Sequence, residues 1–171
     1  ENIMATFKNP IHISGVGIHS GNRVNLVIRP YERPGIFFRR VDMLGTILIP
    51  AIYKAVCETK MRNTTIGKMW GAHVKTVEHL MAALFMVGVD SAIIEIDGPE
   101  TPILDGSAAE FIKAFEQAGV TKGGLKKIIV KRPVIAYAHE VLKQLSWFVR
   151  LKLWIVNKIM GRKSDGFVSL K

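Results

Sequence analysis

The hydrophobic positions near the start of the chain alternate with polar ones, as they do in half-buried β-strands. Residues 23–29 alternate strictly, and the apolar side chains on one face are Val24, Leu26 and Ile28. Successive side chains of a strand point to opposite faces, so this segment is predicted to be a strand with one buried face. Residues 11–16 alternate more loosely and precede a polar, glycine-containing turn at 17–22. We therefore predict a hairpin over residues 11–29.

Further strands are predicted from apolar runs. Residues 91–97 are the most apolar of these runs and are predicted to form a central strand. The other predicted strands cover 36–41, 44–49 (closed by Pro50), 127–131 and 134–137. Residues 51–72 have no clean period, and we interpret them as short strands or a protruding insert.

A helical period begins after residue 73. The apolar stripe at i, i+3, i+4 and i+7 consists of Val77, Leu80, Met81 and Leu84. Thr76 is predicted to cap the start of this helix, and Gly88 to end it. This arrangement places Glu78 and His79 in the first turn.

A second helix is predicted after Ser107, which with Glu110 has the spacing of a capping box. Its buried stripe consists of Phe111, Ile112, Phe115 and Ala118, and Gly119 ends it. The order of elements is several strands, helix, strand, helix and further strands. This order predicts an α+β fold: a two-layer sandwich of a mixed β-sheet with two helices on one face.

The composition describes a globular chain with a basic end. The chain has 171 residues, of which 49% are hydrophobic and 22% charged, enough for one substantial domain. The net charge of +10 arises entirely within residues 121–171, since residues 1–120 are balanced. The lysine and arginine pairs at 126–127 and 131–132 lack interleaved aromatic residues, so no nucleic-acid partner is expected. The single Cys57 fits a reducing compartment, and residues 1–9 lack an apolar signal core, so we expect a cytoplasmic protein.

Candidate chemistry lies at the start of the first helix. Adjacent Glu and His residues there can face one cleft, where one binds a metal and the other polarises its water. The alternative for Glu78 and His79 is a solvated surface pair. His19, in the glycine-containing turn, is either a cleft residue or a histidine that only bonds backbone. Asp105 either assists a site or caps the second helix locally.

Four segments carry a resemblance to a known family. They are residues 12–29 (HISGVGIHSGNRVNLVIR), 35–42 (GIFFRRVD), 75–84 (KTVEHLMAAL) and 92–108 (AIIEIDGPETPILDGSA). In order and spacing they resemble the UDP-3-O-acyl-N-acetylglucosamine deacetylases, which are zinc amidases of lipid A synthesis in Gram-negative bacteria. The resemblance runs from about residue 11 to residue 133.

The resemblance implies a fold of two similar domains with the active site between them, and this chain resembles the first. It implies that Glu78 is the general base acting on zinc-bound water, and that His79 is the first Zn²⁺ ligand. The other ligands belong to an H-K-x-x-D segment of the second half, and this chain has no His followed four residues later by Asp. Met61 lies in a segment that resembles the family's insert near the substrate, and His19 and Asp105 are further candidates near the site.

The basic end departs from the family pattern. We predict a deacetylase domain at 1–137, an inserted basic amphipathic segment at 138–164, and the start of a return strand at 165–171, after which the chain looks truncated. Within residues 139–163, Lys143, Arg150 and Lys158 share one side of a helical projection, while Lys152 falls on the apolar side. A basic amphipathic helix suits peripheral contact with an anionic membrane. A helix that packs elsewhere or stays mobile is the alternative.

The expected function is zinc-dependent deacetylation of UDP-3-O-acyl-N-acetylglucosamine, with a complementing C-terminal half supplying the remaining ligands. Two alternatives stay open. One is a non-catalytic remnant of a truncated or split gene. The other is a basic protein that binds membrane surfaces.

Overall fold

A computed structural model describes residues 4–45, 48–59, 62–68, 70–121 and 123, together with the strand backbones at 135–137 and 167–169. The chain divides into two compact units, Glu1–Leu125 and Lys126–Lys171. Each is described by itself. Within the described residues, no helix is long and apolar enough to cross a membrane.

A mixed five-stranded sheet forms the first unit's main layer, in the order β1-β2-β8-β3-β4. Its strands are β1 (Ile11–Val16), β2 (Arg23–Pro30), β3 (Gly35–Arg40), β4 (Ile49–Pro50) and β8 (Ser91–Ile96). β3 and β8 are parallel, and the other neighbouring pairs are antiparallel. The predicted hairpin and the central position of β8 are therefore confirmed. The predicted strand over 44–49 was too long, since Leu44 and Gly45 are not in a strand and, of its described residues, Ile49 alone pairs with β3, together with Pro50.

Both helices pack on one face of this sheet. Helix α1 spans Glu78–Met86 and helix α2 spans Ala109–Ala118. Their buried side chains share one hydrophobic core with alternate residues of β2 and β8. The residues at the centre of this core are Leu26, Ile28, Leu80, Leu84, Ile94, Ile96, Phe111 and Phe115. The predicted two-layer α+β fold is confirmed.

The opposite face of the sheet carries charge. Glu95 of β8 accepts hydrogen bonds from Arg29 of β2, at 2.8 Å, and from Arg39 of β3. Residues 92, 94 and 96 point into the core, so Glu95 points outward, as the period of two requires. The strand is therefore two-faced, although its sequence is nearly all apolar.

The cap predicted for α1 was wrong, and of the capping box predicted for α2 only the serine half forms, since the Ser107 hydroxyl accepts an amide at the helix start. Thr76 does not cap α1: it has a positive φ of 58°, and its hydroxyl donates to Glu100 at 3.0 Å. Ser107 and Glu110 do not form a capping box, because the Ser107 amide donates to Asp105 at 2.9 Å. The Ser107 hydroxyl instead accepts from the Ala109 amide at 3.0 Å.

A small antiparallel sheet lies between β4 and α1 in the sequence. It consists of β5 (Val56–Glu58), β6 (Thr65–Gly67) and β7 (His73–Val74). β5 and β6 confirm the short-strand interpretation of residues 51–72, and β7 lies just beyond that range. Arg40, at the end of β3, is only 7% exposed and donates to the His73 carbonyl at 3.0 Å. The same guanidinium donates to both Asp42 carboxylate oxygens, at 2.7 and 2.6 Å. Arg40 thus joins the small sheet to the main one.

We expect this ion pair to make the fold acid-sensitive. The hydrogen bond from Arg40 holds the pKa of Asp42 below its ordinary value. A lowered folded-state pKa stabilises the protein above about pH 4, and that contribution is lost as the pH falls further. The free energy of unfolding should therefore drop faster between pH 5 and about pH 3 in the wild type than in Asp42→Asn. Urea unfolding at a series of pH values measures this difference, and equal slopes would contradict it.

In the second unit, β9 (Ile135–Tyr137) pairs antiparallel with β10 (Phe167–Ser169), and Tyr137 lies opposite Phe167. The predicted strand over 134–137 is therefore confirmed at residues 135–137. The predicted insertion at 138–164, its amphipathic segment at 139–163 and the strand over 127–131 lie outside the described residues. The predicted domain boundaries stay predictions.

Candidate functional site

Glu78 and His79 are the first two residues of α1, and both are half-buried. Val77 before them and Leu80 after them belong to the hydrophobic core. The helix start is therefore anchored on both sides, and the two polar residues lie at the edge of the core. This is the position that the helical period predicted for them.

The loop before β6 holds the Glu78 carboxylate. Glu78 Oε2 accepts a hydrogen bond from the Thr64 amide at 2.9 Å. The Thr64 carbonyl in turn accepts from the Val77 amide at 3.3 Å. No described residue hydrogen-bonds Glu78 Oε1. One carboxylate oxygen thus fixes the orientation of the side chain, and the other can accept a proton.

A second carboxylate, that of Glu100, lies next to Thr76, which precedes α1 in the sequence, and Glu100 is 2% exposed. Its Oε1 accepts from the His19 amide at 2.9 Å and from the Thr76 hydroxyl at 3.0 Å. Its Oε2 accepts from the Ser20 amide at 2.8 Å. Burial raises the pKa of Glu100, but the hydrogen bonds from Ser20, the His19 amide and Thr76 outweigh burial and lower it below its ordinary value.

A small polar cleft lies on the β5-β6-β7 sheet. Its volume is about 110 Å³, and it is lined by Cys57, Glu58, Thr65, His73 and Lys75. Pockets for drug-sized ligands measure about 300–1,000 Å³. This cleft therefore has room for a small polar group, and not for a nucleotide sugar.

Comparison with known proteins identifies the family. The family model described as "LpxC: UDP-3-O-acyl N-acetylglycosamine deacetylase" matches residues 4–152. The chain belongs to this family.

Relatives with the name UDP-3-O-acyl-N-acetylglucosamine deacetylase agree with that assignment. The protein of Geotalea uraniireducens is 46% identical over 132 residues, covering 75% of this chain and 42% of the relative. That of Phenylobacterium zucineum is 45% identical over 116 residues, covering 67% and 39%. That of Histophilus somni is 42% identical over 132 residues, covering 75% and 43%. The chain thus spans about two fifths of the length of these relatives.

The residues that the structure describes do not by themselves fit a catalytic zinc site of the kind implied for the deacetylase family. A catalytic zinc ion takes three protein ligands and keeps a fourth position open. No group of three or more His, Cys, Asp or Glu residues with metal-binding geometry occurs within the described ranges. His79 can contribute one imidazole nitrogen, and the described residues do not complete a three-ligand set around it.

The remaining site candidates have different outcomes. His19 is exposed, and its backbone amide, but not its imidazole, contacts Glu100. Asp105 is exposed and accepts hydrogen bonds from the Ser107 amide and hydroxyl, which lower its pKa. Met61 lies outside the described residues. Catalytic and metal-binding roles for these residues stay predictions.

Sequence reasoning missed Glu100 and Thr64. Glu100 lies within the segment 92–108 that carries the family resemblance, but it follows Pro99 in a loop, where the period does not distinguish it from a solvated acid. Thr64 contributes only its backbone amide, so its side chain gives no signal. Two features of the sequence hinted at Glu100. It lies in a proline-flanked loop, and the chain also has a glycine-containing turn whose backbone amides need acceptors.

Proposed function

We propose that this chain contributes a general base and one metal ligand to a deacetylase acting on UDP-3-O-acyl-N-acetylglucosamine in lipid A synthesis. Membership of the deacetylase family supports this proposal. The single observation that carries it is the state of Glu78. Its carboxylate accepts the Thr64 amide at the start of α1, and no described residue hydrogen-bonds Oε1.

In this proposal, Glu78 accepts the proton of the water that attacks the acetamide carbonyl. A general base must lie within hydrogen-bond reach of the proton that it removes, so a fixed carboxylate with one open oxygen suits the role. The hydrogen bond from the Thr64 amide to Oε2 favours one orientation of the carboxylate. The products are acetate and the free amine of the sugar.

His79 is proposed as one ligand of Zn²⁺. The remaining ligands would come from a complementing C-terminal half, either on the same polypeptide or on a second chain. We place the reaction in the cytoplasm, in agreement with the single free Cys57.

Acetate release tests this function. The purified chain would be assayed with UDP-3-O-acyl-N-acetylglucosamine and Zn²⁺, alone and after co-expression with the part of the Geotalea uraniireducens relative that this chain does not cover. We expect acetate only from the pair. A pair that assembles, binds zinc and releases no acetate would reject the enzyme proposal and favour the non-catalytic alternative.

We also propose peripheral membrane contact through residues 139–163. The segment owes its positive charge to six basic residues against the one acidic residue Glu140, and these are Lys143, Arg150, Lys152, Lys158, Arg162 and Lys163. Each basic residue near an anionic surface contributes about 1 kcal/mol. Deleting 139–163 should reduce co-sedimentation with anionic liposomes, whereas binding to neutral liposomes should be low for both forms. Equal co-sedimentation of both forms with anionic liposomes would reject the contact.

A further inference from the structure

We propose that Glu100 is a positioning residue of the deacetylase site, which holds the His19–Ser20 turn and the residue leading into α1 in one fixed arrangement. The catalytic part of this inference rests on the proposed function. Its structural part, a mechanical connection between two segments far apart in sequence, can be tested without any activity.

The backbone around Glu100 is fixed to the strand that leads into α1. The Lys75 amide donates to the Pro99 carbonyl at 2.8 Å, and the Thr101 amide donates to the Lys75 carbonyl at 3.1 Å. The Thr101 hydroxyl also donates to the Thr76 carbonyl at 2.5 Å. Three hydrogen bonds therefore join residues 99–101 to residues 75–76 in one unit.

From this unit, the Glu100 side chain reaches the turn between β1 and β2. Its two oxygens accept the amides of His19 and Ser20, at 2.9 and 2.8 Å. Oε1 also accepts the Thr76 hydroxyl, so one oxygen contacts both segments. A buried carboxylate that accepts three donors is costly to disturb, because each donor then loses its partner.

Two backbone features show how closely the segments approach. A Cβ atom on Gly17 would overlap Glu100 Oε2 and Ser20 Oγ, so only glycine leaves room for the carboxylate. Thr76 has a φ of 58°, which is unfavourable for a β-branched residue. The hydrogen bonds of its hydroxyl and carbonyl hold it there, and strain of this kind persists where the surroundings fix it.

The consequence concerns Glu78. Thr76 lies two residues before Glu78, so its backbone conformation sets the direction in which α1 begins. If Glu100 is lost, Thr76 can relax and the Glu78 carboxylate moves. A displacement of about 1 Å can lower a rate by about 100-fold, and it acts on kcat rather than on substrate affinity.

Amide hydrogen exchange and NMR on the full chain test the connection. In Glu100→Gln, one oxygen becomes an amide group that faces a donor, and we expect the His19 and Ser20 amides to exchange about tenfold faster. The amide and ring signals of His79 should also shift in Glu100→Gln. They should shift in Thr76→Val too, which replaces the hydroxyl with a methyl group. Asp97→Asn is the matched control, since Asp97 also accepts a backbone amide, that of Asn25 at 2.7 Å. It should change neither the turn nor His79.

Unchanged exchange in β8 shows that each variant remains folded. Unchanged exchange at His19 and Ser20 in Glu100→Gln, or His79 signals that move no more than in Asp97→Asn, would overturn the connection. In the co-expressed pair, Glu100→Gln should lower kcat about 10- to 100-fold with KM changed less than about twofold, and Glu100→Asp should recover part of the loss. An unchanged kcat in an active pair would overturn the positioning role. An inactive wild-type pair would reject the proposed function alone, since the NMR result still decides the connection.

Discussion

Glu78→Gln is expected to lower the kcat for acetate release by the co-expressed pair by about 10²–10⁴-fold, the usual contribution of a general base. Glutamine has the same shape as glutamate, and its carbonyl oxygen can still accept the Thr64 amide. The second position becomes an amide group, which cannot accept the proton of water. The loss should therefore appear in kcat, with KM and zinc content nearly unchanged.

Glu110→Gln is the matched control for this variant. Glu110 is also an acidic residue in the first turn of a helix, but it is exposed on α2. Its replacement should leave kcat within about twofold, as for surface changes away from a site. Equal rates for Glu78→Gln and the wild type would remove Glu78 from the mechanism.

Phe115→Ala is expected to lower the free energy of unfolding by about 3–5 kcal/mol. Phe115 is fully buried, and its ring lies 5.0 Å from that of Phe7 and 6.3 Å from that of Phe111. The truncation leaves a cavity between α2 and the sheet. Since small domains are stable by only about 5–15 kcal/mol, urea unfolding should show a large shift of the midpoint.

Phe85→Ala serves as the control for the core variant. Phe85 is on α1, but 71% of its surface is exposed. Its removal should change the free energy of unfolding by less than about 0.5 kcal/mol. If both variants lose the same stability, the assignment of Phe115 to the core is wrong.

The sheet and helices could be predicted because burial leaves a period in the sequence. The alternation of Val24, Leu26 and Ile28 predicted β2, and the spacing of Leu80 and Leu84 predicted α1. Both patterns arise because one face of each element contacts the same core, and this contact leaves a period that can be read from the sequence. The outward position of Glu95 agrees with the same period of two but was not predicted, and neither were its two arginine partners.

The helix caps could be predicted only in part, because two of the predicted hydrogen bonds were replaced, one by a tertiary contact and one by another local contact. The Thr76 hydroxyl has a partner at Glu100, 24 residues away, so it is not available to an amide of its own helix. Asp105 takes the Ser107 amide that a capping box would have assigned to Glu110. A local motif describes the available donors and acceptors, and the fold decides which of them meet.

The candidate site was predicted only in part for the same reason. Glu78 and His79 are adjacent in the sequence, so a motif could locate them. Glu100 meets His19 across 81 residues, and the Thr64 amide carries no side-chain signal. The contacts that orient the site are long-range or made by the backbone, and neither kind leaves a short pattern.

Zinc titration tests most directly the central claim that this chain supplies one metal ligand and the general base. Isothermal titration would compare the chain alone, the co-expressed pair, and the pair with His79→Ala. We predict one tight site in the pair, at least about 100-fold weaker binding when His79 is replaced, and no tight stoichiometric site in the chain alone. A tight site in the chain alone, or a pair that keeps its affinity without His79, would contradict the account.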